Sequence, residues 1–230
     1  MADDPLANIV DNPTQAPLPA RTQPVKAIII HTTGSGSTWQ QILSFYTDKN
    51  GYQPHYAIQT DGTIHRTADE SLVAWHTAIK GAERALYQQG WDVWSRWHWP
   101  LGANAPTDTG SEYSGYGTWK NMWRVADKNS PLDLPTGAAP NDVTIGIECE
   151  QPSDADKTAD IFTDAQYASL ICLVRDVVGR YSLNVDRLSI LGHYDCSPMR
   201  RSTGAGGWDP GDAFNWGRLF DGVQPSTPAP

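Results

Sequence analysis

VKAIIIH, residues 25–31, is a continuous apolar run that ends on a histidine. It is long enough only for a strand, and its lack of alternation marks a strand covered on both faces. LSILG, residues 188–192, is a second run of this kind and also leads into a histidine, His193. VTIGIECE, residues 143–150, reads as a third strand. Buried strands of this type belong to α/β architectures, where loops at strand ends carry the chemistry because a rigid scaffold holds them.

The segments between these strands supply helices and a hairpin. Gly34, Ser35, Gly36 and Ser37 form a loop, and Thr38 or Ser37 caps a helix with Trp39, Ile42, Leu43 and Tyr46 on one face. HYAIQTDGTIHRT, residues 55–67, places two β-like runs around the turn signal Asp61-Gly62. LVAWH, residues 72–76, reads as a further strand. Thr163 and Gln166 fit a capping box. The helix it opens carries Tyr167, Leu170, Ile171, Val174, Val177, Val178 and Tyr181 on one face, and Phe214–Phe220 closes the domain with a short helix. The order β-α-β-β-β-insertion-β-α-β-α predicts a mixed α/β fold, a central mixed β-sheet flanked by α-helices. The expected organisation is an extended arm over 1–24, one domain over 25–222 with a long Trp-rich insertion at about 77–141, and a Pro-rich tail over 223–230.

Composition narrows the function. A chain of 230 residues suits one domain, and its formal net charge of −9 provides no basic footprint for nucleic acid or anionic lipid. Cys149, Cys172 and Cys196 are read as reduced thiols. MADDPLANIVDNPTQAPLP has neither a basic n-region nor an apolar h-region, so a Sec signal is not expected. No run is long enough for a membrane span. The expectation is therefore cytoplasmic synthesis, with action on an external target following release or export by another system.

His31 and His193 each end a buried strand and precede a loop containing Gly or Ser, which makes them paired candidates for metal ligation. A catalytic zinc needs three protein ligands and one open position for water. At these residues the chain resembles the zinc-dependent N-acetylmuramoyl-L-alanine amidases, a family that includes amidase-type phage lysozymes, muropeptide-recycling amidases and peptidoglycan recognition proteins. The matching segments are AIIIHTT (27–33), PHYAIQTDGTIHR (54–66), AWHTA (74–78), TIGIECEQ (144–151), LGHYDCSP (191–198) and WDPGDAF (208–214), in the family's order.

The resemblance implies one zinc ion held by His31, His193 and Asp209, and Glu148 as the acid/base carboxylate, with Glu150 on the same strand face as the fallback. It also implies an open question at the third ligand, because STGAGGW separates Arg201 from Asp209, and Cys196 and Asp195 lie close to His193. The family's lysine two residues before the aspartate is Gly207 here, so Arg200 or Arg201 is the candidate oxyanion donor. His76 matches a histidine lining the substrate cleft, and Tyr56, Trp75, Trp94 and Trp97 are the other substrate-contact candidates. Trp91, Trp94 and Trp97 are spaced to share a helical face, which suits a buried core or an aromatic wall for glycan or stem peptide.

The activity so implied is hydrolysis of the amide between N-acetylmuramic acid and L-alanine by a monomer, with peptidoglycan or muropeptide as substrate. A bacteriolytic endolysin or an injected cell-wall toxin is the expected setting. A cytoplasmic muropeptide-recycling amidase and a non-catalytic peptidoglycan recognition module are the alternatives.

Overall fold

A computed structural model describes residues 5–34, 37–49, 52–77, 139–151, 162–187, 189–196, 209–210 and 214–224. Among them, six strands form one mixed sheet. They are β1 (Val10–Asp11), β2 (Ala27–Thr32), β3 (Tyr56–Ile58), β4 (Ile64–Arg66), β5 (Thr144–Cys149) and β6 (Ile190–Gly192). Their order across the sheet is β1-β4-β3-β5-β2-β6, with β3 and β4 antiparallel and the other neighbours parallel. The helices are α1 (Trp39–Thr47), α2 (Asp164–Tyr181) and α3 (Trp216–Val223). No helix among the described residues is long and apolar enough to cross a membrane.

Strand alternation divides the core between the two faces. Ile28, Ile30, Ile145, Ile147, Ile58 and Ile190 pack against Tyr167, Leu170, Leu173, Val174 and Val177 of α2 and Leu219 and Val223 of α3. On the opposite face, Ala57 meets Trp39, Ile42 and Tyr46 of α1. The capping box expected at Thr163 forms, and Thr38, one of two cap candidates, makes a second: the Thr38 and Thr163 hydroxyls accept from the backbone N–H of Gln41 and Gln166, and each glutamine side chain reaches back to its cap. The Asp61-Gly62 turn joins β3 to β4 as expected.

Two expectations are corrected. Residues 72–76 do not form a strand; they contribute only an isolated bridge, Ala20 to Leu72. The edge position next to β4 is filled instead by the N-terminal arm, whose Val10 and Asp11 pair in parallel with His65 and Arg66. The arm is stitched down along its length: the N–H groups of Asn12, Thr14 and Gln15 donate to the carbonyls of Arg66, Thr67 and Thr47. Arg21 completes the attachment. Its guanidinium donates to the carbonyls of Glu70 and Leu72 on one side of the insertion and of Asn141, Asp142 and Thr144 on the other. The Thr77 N–H donates to Asn141 Oδ1 across the same gap. Cys149 and Cys196 are buried thiols, Cys172 is partly buried, and none forms a disulfide.

Candidate functional site

The carboxyl ends of β2, β5 and β6 lie side by side, and the site is built there. Alternation that sends Ile30 into the α2 core turns His31 to the α1 face, in register with Glu148 of β5. His193 follows β6 directly, as the first residue of the helical turn His193–Cys196. Asp209 reaches the same place from the C-terminal loop. Its carbonyl lies so close to Gly192 that a Cβ at that glycine would approach it to 2.8 Å, so the absent side chain makes room for the third group.

All three side chains are buried. Asp209 Oδ2 lies 3.3 Å from His31 Nδ1 and 3.1 Å from His193 Nδ1. Its other oxygen accepts the Thr32 backbone N–H at 2.7 Å. One donor atom from each residue falls within 4.8 Å of the others, a grouping that could hold a metal ion. Two imidazoles and a carboxylate are the donors of a hydrolytic zinc centre, and tetrahedral bonds of about 2.0–2.1 Å set ligand atoms about 3.3 Å apart. The two separations to Asp209 match that edge. Burial acts to raise the Asp209 pKa, yet the two imidazoles outweigh it and hold the carboxyl well below the usual carboxylate range. The group is an anion suited to a cation.

Glu148 stands beside this cluster on the same face, in register with His31, and its charge acts on the buried phenol of Tyr46. Burial, reinforced by the charge of Glu148, pushes the Tyr46 phenol well above its ordinary value, so it stays a neutral donor. Tyr46 is the neighbour of Glu148 that sequence reasoning missed. Its position on the apolar face of α1 marked it as core; its hydroxyl was the one signal that set it apart from Ile42.

His76 lies against the cluster from the other side. Its Nδ1 is 3.0 Å from His31 Nε2, and its ring rests over Gly146, where any Cβ would overlap it. Burial, followed by the neighbouring imidazoles, lowers its pKa well below the ordinary value. Behind it, His55 accepts the Gly146 N–H at Nδ1, and burial and Arg21 lower its pKa to about 3.

The other sequence candidates are placed apart from this cluster. Glu150 accepts the Thr60 N–H and belongs to the hairpin. Asp195 accepts from Gly192 N–H and pairs with Arg187. Cys196 packs with Ala27, Ile29, Val143 and Leu191. Tyr56 is a correction: in register with Ile147, it points into the α2 face, where its hydroxyl donates to Glu70, so the sheet separates it from His31. Trp75 is exposed next to His76. Trp94, Trp97, Arg200, Arg201 and nearly all of the Trp-rich insertion lie outside the described residues.

Comparisons with known proteins agree on one family. A family model described as N-acetylmuramoyl-L-alanine amidase matches residues 21–212. The 1,6-anhydro-N-acetylmuramyl-L-alanine amidase AmpD of Enterobacter cloacae is 41% identical over 79 residues, which is 34% of this chain and 35% of that protein. The N-acetylmuramoyl-L-alanine amidase AmiD of Escherichia coli strain K12 is 35% identical over 83 residues, 34% of this chain and 27% of that protein. The matched regions thus span about a third of these curated relatives. A crystal structure of a selenomethionine AmpD derivative shares the fold at a TM-score of 0.55 and 19% identity, covering 97% of this chain and 99% of that one. AmiD from E. coli, in complex with the substrate anhydro-N-acetylmuramic acid-L-Ala-D-gamma-Glu-L-Lys, does so at a TM-score of 0.51 and 22% identity, covering 88% and 60%. With the family model spanning nearly the whole domain, the chain belongs to the N-acetylmuramoyl-L-alanine amidase family.

Proposed function

We propose that the protein is a zinc hydrolase that cleaves the amide between N-acetylmuramic acid and L-alanine in soluble muropeptides. The observation that carries this is the buried His31–His193–Asp209 cluster with Glu148 in register with His31 on the neighbouring strand. Zinc at that cluster supplies a water of lowered pKa and polarises the scissile carbonyl. Glu148 is the base that takes the attacking water's proton and the acid that returns it to the leaving L-alanine amine. The Thr32 N–H fixes the direction in which the Asp209 carboxylate faces, and the neutral Tyr46 phenol lies near Glu148. Arg200 or Arg201 serves as the oxyanion donor in place of the lysine that Gly207 replaces.

The named relatives, AmpD and AmiD, favour the muropeptide reading over the endolysin or toxin setting expected from the sequence. Retention of three candidate ligands and an acid/base carboxylate disfavours a purely recognising module. The test is mass spectrometry of products from purified anhydro-muropeptides and from intact sacculi, each with and without chelator. Release of free stem peptide, abolished by chelation and faster on the soluble substrate, is expected. Cleavage within the stem peptide or the glycan, or activity untouched by chelation, overturns the reading.

A further inference from the structure

The environment of His76 dictates where its proton sits. The Thr144 hydroxyl has one proton and donates it to the Pro140 carbonyl at 2.8 Å. Toward His76 Nε2, 3.2 Å away, the Thr144 oxygen can then only accept. His76 Nε2 must carry the proton. At the other end of the ring, Nδ1 faces the Thr77 hydroxyl at 3.1 Å and His31 Nε2 at 3.0 Å, both able to donate. A neutral ring protonated on Nε2 has one lone pair at Nδ1, and the nearer donor to it is His31 Nε2.

We infer that Pro140, Thr144 and His76 form a one-way chain of hydrogen bonds that sets an acceptor against His31 Nε2, so that the ring keeps its proton there and gives up the one it shares with Asp209 Oδ2 when a metal takes Nδ1. His76 is thus a positioning residue rather than a substrate contact. The chain starts at a carbonyl, which cannot donate, so its direction is fixed; this orients a ligand histidine through the nitrogen turned away from the metal. Gly146 belongs to the same device, because only a residue without Cβ lets the His76 ring lie across β5. Pro140 and Thr77 stand where the chain returns from and leaves for the insertion, so the root of the insertion sets the tautomer of a candidate ligand.

This inference rests on the zinc reading of the cluster, and its test separates the two. Thr144→Val removes the acceptor for His76 while keeping its volume, and Thr144→Ser retains it. Zinc affinity is measured by competition with a chromophoric chelator, and the imidazole tautomers of the zinc-free protein by nitrogen-15 NMR. Thr144→Val is expected to bind zinc about 10–100-fold more weakly, and Thr144→Ser to stay within a few-fold of the parent. The parent NMR spectrum, which needs no variant to fold, is expected to show His76 protonated on Nε2. Unchanged affinity in Thr144→Val, or a His76 proton on Nδ1, overturns the chain and leaves the zinc reading standing. A parent that takes up no zinc overturns both.

Discussion

Glu148 and Asp209 are carboxylates in one pocket with different partners. Asp209 faces two imidazoles and a backbone N–H, which favour a permanent anion. Glu148 has the neutral Tyr46 phenol as its neighbour instead. Glu148→Gln keeps the ligands and removes the proton acceptor. Its kcat is expected to fall by roughly 10²–10⁴ with zinc content unchanged, measured by steady-state kinetics and metal analysis. Tyr46→Phe removes the hydroxyl beside Glu148 and is expected to lower kcat by about 10–100-fold with little change in KM. For the proposed oxyanion donor, alanine at Arg200 or Arg201 is expected to cost about 10²–10³ in kcat at whichever one serves. Rates within a few-fold of the parent at both positions would remove arginine from the mechanism.

At the scale of elements, the site depends on how closely β5 lets its neighbours approach. Gly146→Ala puts a methyl group into the His76 ring. Destabilisation of about 1–3 kcal/mol is expected, read from the denaturant midpoint, together with weaker zinc binding. What the sequence disclosed about these elements was whatever is locally encoded. The runs at 25–31 and 143–150 and the caps at Thr38 and Thr163 carry their signals within a few residues, and so do His31 and His193 at strand ends. Pairing decisions are not local. Val10-Asp11 forms a strand only because β4 offers it an edge, and residues 72–76 are denied one by the arm that crosses them. Tyr56 was assigned to the wrong face because its side is set by register with Ile147 on a distant strand. Tyr46 likewise comes near Glu148 only because α1 packs on the sheet face that carries Ala57.

For the molecule as a whole, buried imidazoles tie stability to pH. His55 has a pKa of about 3 when folded against an ordinary 6.5, because burial and Arg21 disfavour its charged form. Between those values the unfolded chain binds more protons, so stability falls as pH drops below about 6.5, by at most about 1.4 kcal/mol per unit from this group, and is unaffected by it above. His76 acts in the same direction. Urea midpoints taken between pH 7 and pH 5 should decline, and a His55→Gln variant, weaker throughout, should show a shallower slope. The arm belongs to the same unit. Removing residues 1–15 strips β4 of its parallel partner and leaves an open edge, so a lower denaturant midpoint and concentration-dependent association are expected.

The Arg21 guanidinium binds carbonyls on both sides of residues 78–138, and Thr77 meets Asn141 across their base. Ends held together in this way keep their places whatever the length between them, and each doubling of a flexible segment costs only about 0.6 kcal/mol in closure entropy. Length and sequence between Thr77 and Ala139 can therefore change with little effect on the strands that carry His31 and Glu148. A single arginine lets the two parts of the chain vary independently.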